Sequence, residues 1–231
     1  MSSFERLSRT RALLGEAAME RLKAAHVLLV GLGGVGGHAF EALVRSGVGH
    51  LSLVDFDTVE ESNINRQILA DARTLGRLKT EVALERAALI SDNVNITVHS
   101  KRLVPEDVEA LLSEVCPDLV LDAIDDVAVK VALAVAAEKQ AIPILSCLGT
   151  GNRLDPTALT VTDIGKTEGC PLAKAVRTRL RREGIRHLPV VFSRETALTP
   201  EGETRVGSMA TVPAAAGLIM AAEAIRMLTT E

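Results

Sequence analysis

Glycines cluster directly after the first strongly hydrophobic run of the chain. Gly31, Gly33 and Gly36 fit the pattern G-x-G-x-x-G, and Gly34 lies within it. Glycine permits a tight turn and lets backbone N–H groups approach an anion, and a helix starting there directs its positive dipole end at the same point. The pattern alone is weak, but a predicted strand precedes it, a predicted helix follows, and Asp55 ends the next strand. The segment therefore predicts a nucleotide-binding site.

Polar side chains are concentrated after the second predicted strand. This segment combines carboxylates, amides and a guanidinium, namely Asp55, Asp57, Asn63, Asn65, Arg66 and Gln67. Carboxylates and amides suit ribose hydroxyls, and the planar guanidinium of Arg66 suits phosphate oxygens. Lys79 adds a cation at the head of the next predicted helix. Each cation alone is typical of a solvated surface, but their position beside the glycine turn favours a phosphate site.

Acidic residues also follow the predicted strand at 119–121. Asp122 ends this strand, and Asp125 and Asp126 come directly after it. Carboxylates near a bound triphosphate are explained if a divalent ion joins the two, because Mg²⁺ is usually held by one or two carboxylates together with phosphates. We expect Asp125 to bind Mg²⁺. Asp126 is either a second nucleotide-site carboxylate or the N-cap of the next helix.

Strands and helices alternate through the first two thirds of the chain. Strands are predicted at 27–30, 51–54, 95–99, 119–121 and 143–146. Helices are predicted between them, at 37–46, 78–90, 105–115 and 127–139. This alternation predicts an α/β fold with a doubly wound, mostly parallel, Rossmann-like sheet. After residue 149, runs at 159–164 and 189–193 predict antiparallel additions, and without a repeat or linker we expect residues 1–231 to form one domain.

Composition narrows the functional classes. The chain has 231 residues, 47% of them hydrophobic, and a formal net charge of −4. It contains neither Trp nor Tyr, and this scarcity of aromatic side chains argues against a base-stacking platform for single-stranded nucleic acid. Its three cysteines form no C-x-x-C pair, so zinc and disulfides are not expected and a reducing cytoplasm fits. The longest uncharged stretch, 209–222, is shorter than a membrane span, so we expect no integral membrane segment.

Cations are concentrated in a predicted helix at 171–183. Lys174, Arg177 and Arg181 belong to this group, while apolar residues recur every four positions on another face. An acidic protein with positive charge on one helix could contact a phosphate backbone there. A solvated amphipathic helix accounts for the same pattern, and both interpretations remain open.

Five motifs taken together resemble the ThiF/MoeB/HesA superfamily of ubiquitin-activating-enzyme-like adenylating proteins. They are GLGGVG, LVDFD, SNINRQ, GRLKTE and LDAIDD. The resemblance implies ATP as the nucleotide, bound through residues including Gly34, Asn63 and Asp125, with Arg66 and Lys79 neutralising the phosphates during attack on the α-phosphorus. It also implies a homodimer in which Arg9 of one subunit completes the other's catalytic site.

Features outside these motifs resemble one branch, the tRNA threonylcarbamoyladenosine dehydratases. They are RLSRTRALLG, the Leu154-Asp155-Pro156 turn, the segment opening the basic helix, and GSMATVP. The branch implies ATP-dependent activation of the threonyl carboxylate of threonylcarbamoyladenosine near the anticodon, followed by cyclisation with loss of water. The branch implies the modified tRNA as a partner, and a sulfur-transfer protein is a second candidate partner.

Three alternatives remain at this point. The chain could adenylate the C-terminal glycine of a ubiquitin-like sulfur carrier, or bind nucleotide without chemistry, or act as an NAD-dependent oxidoreductase. The oxidoreductase is the weakest, because no proton donor is evident and SNINRQ would be unexplained. Cys170, before a proline at a predicted helix start, could be a nucleophile, although cyclisation of an acyl-adenylate needs no enzyme thiol.

Overall fold

Seven strands form one sheet within the described residues of the computed structural model, which are 3–198, 202 and 204–230. The strands are β1 (His26–Val30), β2 (His50–Val54), β3 (Asn95–His99), β4 (Leu119–Asp122), β5 (Ile144–Cys147), β6 (Leu159–Asp163) and β7 (Pro189–Ser193). Their order is β3-β2-β1-β4-β5-β7-β6, and all neighbours are parallel except the antiparallel pair β6–β7. The predicted doubly wound, mostly parallel sheet with a C-terminal antiparallel addition is confirmed.

Nine α-helices lie in the described ranges. They are α1 (Ser3–Arg6), α2 (Ser8–Leu14), α3 (Glu16–Ala24), α4 (Gly36–Ser46), α5 (Lys79–Ile90), α6 (Val108–Val115), α7 (Val127–Lys139), α8 (Pro171–Arg182) and α9 (Thr211–Thr229). Helices α4 to α8 lie close to where the sequence predicts them, except that the predicted helix at 105–115 begins with a 3₁₀ turn. The short helices α1 and α2 were not predicted.

Helices cover both faces of the sheet because alternate strand residues point in opposite directions. Val27 and Leu29 of β1 belong to a core cluster with α3, α4, α5 and α9. Leu28 and Val30 belong to a second cluster with α6 and α7, and α8 packs with α7 over β7 in a third. The two layers leave the carboxyl ends of β1, β2, β4 and β5 on one edge of the sheet.

Helix α9 packs closely against the start of α4. A Cβ at Gly217 would lie 2.3 Å from the carbonyl oxygen of Val35, so glycine is required for this approach. With 19 residues and a mean hydropathy of 1.4, α9 is long and apolar enough to cross a membrane by length and composition alone. Most of the uncharged stretch 209–222 therefore lies in a longer helix, whose Val212, Ala216 and Met220 are buried in the core.

Candidate active site

A cavity of about 820 Å³ opens at the carboxyl ends of the parallel strands. Eleven of the predicted nucleotide-site residues line it: Gly31, Gly33, Gly34, Asp55, Asp57, Asn63, Arg66, Gln67, Lys79, Asp125 and Asp126. Ligands of open parallel sheets bind at this edge. We call the wall formed by these residues the nucleotide half of the cavity.

The glycine turn leaves room for a ligand at its centre. Gly31 has a φ of +95°, and a Cβ at Gly36 would lie 1.8 Å from the Gly31 carbonyl oxygen, so these two glycines shape the turn. A Cβ at Gly33 would meet little besides the Gln67 amide at 4.0 Å. Within the described residues, the N–H groups of Gly33, Gly34 and Val35 make no hydrogen bond. Gly36 therefore supports the turn without lining the cavity, and the free N–H groups are suited to phosphate oxygens.

Asp55 is a buried carboxylate at the end of β2. It accepts hydrogen bonds from the backbone N–H of Leu32 at 2.6 Å and of Asp57 at 2.8 Å, which joins the β2 end to the glycine turn. Burial raises the pKa of the Asp55 carboxyl, and the nearby Lys79 cation partly opposes this rise. A carboxylate has about four acceptor positions, so Asp55 retains capacity for ribose hydroxyls.

Lys79 supplies a buried cation to the same wall. It is 4% exposed, and its Nζ lies 2.7 Å from Oδ2 of Asp57, whose side chain is 47% exposed. The backbone N–H of Lys79 also donates to the carbonyl oxygen of Asp57 at 3.0 Å. Because both contacts fix the start of α5 against the β2 end, the ammonium is held in place before any ligand binds.

The SNINRQ segment divides its side chains between structure and cavity. Asn63 is buried, and its Oδ1 accepts a hydrogen bond from the Glu60 backbone N–H at 3.2 Å, which caps a 3₁₀ turn. Asn65 does not line the cavity, because its amide donates to the carbonyl oxygen of Ser208 at 2.9 Å. Arg66 lines the cavity, and its Nη1 donates to the Asn65 side chain at 2.9 Å. Asn65 therefore orients Arg66 and ties this segment to the residues before α9.

Gln67 carries a buried oxygen that has no partner. Its Oε1 accepts no hydrogen bond in the described part of the chain, although the residue is only 8% exposed. Unpartnered buried polar atoms are rare in folded proteins. Because Gln67 lines the cavity beside Gly33, a polar ligand could satisfy this atom.

The three acidic residues after β4 have different environments. Asp122 is fully buried and pairs with Lys130 Nζ at 2.8 Å, while Ser146 Oγ donates to it at 2.5 Å. Its carboxylate thus joins β4 to β5, and Asp122 does not line the cavity. Asp126 accepts hydrogen bonds from two backbone N–H groups of α7, which establishes the N-cap alternative. Asp125 is exposed, lines the cavity and makes no hydrogen bond among the described residues.

Several residues that line the cavity are not among those predicted from the sequence. Phe56 is 49% exposed, and Arg102 lies over its ring at 5.4 Å, which is cation–π geometry. Lys101 and Arg153 add two further cations to the wall. Lys101 and Arg102 come two and three residues after the end of β3, so the same strand-end reasoning that selected Asp55 could have found them. Arg153 lies in a loop and carries no comparable signal.

Two of the three cysteines line the cavity. Burial raises the pKa of Cys147 to about 12, which disfavours its thiolate at neutral pH. Cys170 is buried and caps α8, with its Sγ 3.5 Å from the Ala173 backbone N–H. Cys116 is exposed and distant from the cavity wall. The described residues contain no group of three or more His, Cys, Asp and Glu positioned for a metal.

The predicted nucleic-acid residues differ in availability. Lys174 and Arg181 are exposed on α8. Arg177 is half-buried, and its Nη1 donates to the Ile164 carbonyl and to the hydroxyl and carbonyl of Thr167. Arg177 therefore anchors the loop before α8. None of these side chains lines the cavity.

Comparison with known proteins assigns the chain to a family. The sequence model of the ThiF family matches residues 7–231 of this chain. This chain belongs to the ThiF family. The match covers both the nucleotide half of the cavity and the antiparallel addition that follows it.

Within the ThiF family, the chain is similar to tRNA threonylcarbamoyladenosine dehydratase of Bacillus subtilis strain 168, with 37% identity over 92% of this chain and 90% of that protein. The chain is also similar to two crystal structures of the E. coli tRNA N6-threonylcarbamoyladenosine dehydratase. The TM-score is 0.92 for the complex with AMP and 0.91 for the complex with ATP. Both matches have 35% sequence identity and cover 97% of this chain and 94% of the crystallised chain. The molybdopterin-synthase adenylyltransferase of E. coli is also similar, with 36% identity over 90% of this chain and 75% of that protein.

Proposed function

We propose that this chain is an ATP-dependent tRNA threonylcarbamoyladenosine dehydratase. The observation that carries the proposal is a cavity lined together by a glycine turn whose N–H groups make no hydrogen bond among the described residues, a buried and preorganised lysine, and a strand-end carboxylate. The extensive similarity to enzymes of that name, one of them solved with ATP, supports ATP as the nucleotide.

The nucleotide half supplies a place for each part of ATP. Asp55 would accept the ribose hydroxyls, and the N–H groups of Gly33 and Gly34 would donate to phosphate oxygens. Arg66 and Lys79 would stabilise the negative charge that grows around the α-phosphorus. Fixed cations in a site with little water contribute most to such a step, because they need no reorganisation during the reaction.

The reaction proceeds in two displacements. A threonyl carboxylate oxygen attacks the α-phosphorus, the bond to the β-phosphate bridging oxygen breaks, and pyrophosphate leaves. An atom of the neighbouring carbamoyl group then attacks the activated acyl carbon and loses its proton, while the bond from that carbon to AMP breaks. The carboxylate oxygen departs with AMP, so the nucleoside loses one water. No step requires an enzyme thiol.

Asp125 is the residue that would hold Mg²⁺. Its carboxylate has no protein partner among the described residues, and one carboxylate with phosphates and water is a normal magnesium environment. The ion would neutralise phosphate charge when bound. Asp126, as the cap of α7, would position this loop.

Two further parts of the proposal concern surfaces. Arg9 is exposed on α2 and does not line the cavity of its own chain, which is compatible with a role in a neighbouring subunit of a homodimer. On α8, Lys174 and Arg181 would contact the tRNA backbone, whereas Arg177 holds the adjoining loop. A sulfur-transfer partner and a cytoplasmic location stay predictions.

The similarity to molybdopterin-synthase adenylyltransferase supports a second candidate, adenylation of the C-terminal glycine of a ubiquitin-like carrier. Both candidates use the same nucleotide half and differ in the acceptor. Incubation with ATP and threonylcarbamoyladenosine-containing tRNA, followed by nucleoside mass analysis, separates them. Loss of one water with release of AMP is expected, and activity only with a carrier protein would refute the dehydratase.

Variants of the two phosphate cations connect that activity to the cavity. Arg66→Ala and Lys79→Ala should each reduce turnover by about 10²-fold or more, the effect typical of removing one preorganised electrostatic group. Thermal melting and circular dichroism would check that each variant is folded. Undiminished turnover in either variant would remove that residue from the mechanism.

A further inference from the structure

Arg153 is a buried cation in a part of the cavity that the nucleotide residues do not use. It is 3% exposed and lies in the loop that follows β5. Its Nε donates to the Gly149 carbonyl at 3.3 Å and its Nη1 to the Glu195 carbonyl. Among the described residues no carboxylate forms an ion pair with it, since the Glu195 carboxylate accepts instead from the backbone N–H groups of Leu154 and Asp155. A buried charge without a counter-ion is unfavourable, which points to an anionic ligand.

The backbone beside Arg153 adds further donors. The N–H groups of Gly149, Thr150 and Gly151 make no hydrogen bond within the described residues, and all three residues line the cavity. Cys170 and Leu172 line the same wall from the start of α8. We call this wall the acceptor half. It resembles the glycine turn in one chemical respect: free backbone donors at a strand end, although here a guanidinium accompanies them.

We propose that Arg153 and the 149–151 backbone bind the carboxylate of the acceptor. This inference rests on the proposed function, because adenylation requires a nucleotide and a carboxylate side by side. The glycine turn already provides for the phosphates, and the acceptor half opens into the same cavity. With one carboxylate oxygen held by these donors, the other is directed at the α-phosphorus, and Arg153 exchanges no proton.

Two glycines allow the halves of the cavity to be tested separately. In Gly149→Ala the new methyl would lie 3.6 Å from Cys170 Sγ and 3.9 Å from Leu172, which is ordinary contact distance. It would therefore occupy the acceptor half without displacing its neighbours. In Gly33→Ala the methyl would enter the nucleotide half instead. We expect Gly149→Ala to raise the KM for modified tRNA and Gly33→Ala to raise the KM for ATP.

Arg153 itself is tested by Arg153→Gln, with Arg153→Lys as the conservative variant. Charge-assisted hydrogen bonds of this kind predict a rise of about 10- to 100-fold in the KM for modified tRNA, with the Kd for ATP nearly unchanged. Arg153→Lys should recover part of the loss. Arg21→Met is the matched control, since Arg21 Nη2 also donates to a backbone carbonyl, that of Thr229, but away from the cavity.

A second readout isolates recognition of the negative charge. The free nucleoside threonylcarbamoyladenosine and its carboxamide analogue are compared as inhibitors. The wild-type protein should prefer the carboxylate, and Arg153→Gln should bind both about equally. Retention of that preference, or an equal weakening of ATP binding, would overturn the assignment. If the wild-type protein does not dehydrate the modified tRNA, the proposed function is contradicted. If the wild type is active and both Arg153→Gln and Gly149→Ala have the same KM for modified tRNA as the wild type, this inference alone is refuted.

Discussion

The buried ion pair between Asp122 and Lys130 makes a strong prediction about stability. Both side chains are fully buried, and Lys130 Nζ lies 2.8 Å from the Asp122 carboxylate and 2.8 Å from the Cys147 carbonyl. Lys130→Met keeps most of the side-chain volume and removes the charge. It leaves Asp122 as a buried carboxylate whose remaining partners are Ser146 Oγ and the Ile124 backbone N–H.

Breaking a buried pair by removing one partner costs about 3–5 kcal/mol, because the other charge stays buried and uncompensated. In a chain of this length, 1 kcal/mol corresponds to roughly 2–4 °C in the melting temperature. Lys130→Met should therefore lower Tm by about 6–20 °C. The double variant Asp122→Asn/Lys130→Met removes both charges and should recover most of the loss.

The same helix offers the matched control. Lys139 lies at the end of α7 and pairs with Glu109 at 3.4 Å, with both side chains largely exposed. Lys139→Met should cost less than about 1 kcal/mol, as is usual for exposed pairs. Denaturant unfolding and thermal melting of the variants would measure the difference. Equal stabilities of Lys130→Met and Lys139→Met would refute the reasoning that burial sets the strength of this pair.

Three further predictions concern function. Lys174→Gln and Arg181→Gln should each weaken tRNA binding and reduce by about one the slope of the log binding constant against log salt concentration. Lys23→Gln on α3 is the control and should leave both unchanged. Unchanged slopes in the α8 variants would favour a solvated helix without a tRNA contact. Cys170→Ser should retain most turnover, and a dead variant would indicate a thiol mechanism. Because burial raises the pKa of Asp55, its charged form should be lost at a higher pH than for an ordinary carboxyl, so the affinity for ATP should fall as pH is lowered through that raised pKa; a pH-independent Kd would contradict this role.

The nucleotide half was predictable because its signals are local. Gly31 and Gly33 lie in the turn after β1, Asp55 directly follows β2, and Lys79 begins α5, so each residue is placed by an element whose pattern is evident in the sequence. In a parallel sheet these positions meet at one edge whatever the details of packing. Knowledge of the strand order was not required to bring them together.

The acceptor half was not predictable because its contacts are distant along the chain. Arg153 donates to the carbonyl of Glu195, and Gly207 N–H donates to the Asn152 side chain at 2.6 Å. The two residues of these contacts lie 42 and 55 positions apart along the chain, and no periodic pattern indicates that they meet. For the same reason, the sequence placed Asn65 among the nucleotide ligands, although its amide holds the Ser208 carbonyl.

A strand-end carboxylate is available to a ligand only to the extent that its own protein leaves it free. The Asp122 carboxylate accepts hydrogen bonds from Lys130 and Ser146, so it connects β4 to β5 and is not available to bind a phosphate or its metal ion. Asp57 binds Lys79, but an ammonium has three donors and this contact occupies one of them. The pair therefore holds Lys79 at the cavity wall and leaves donors for a phosphate. Carboxylate position and carboxylate partners must be considered together, and the partners decide which acidic residue anchors structure and which positions a catalytic cation.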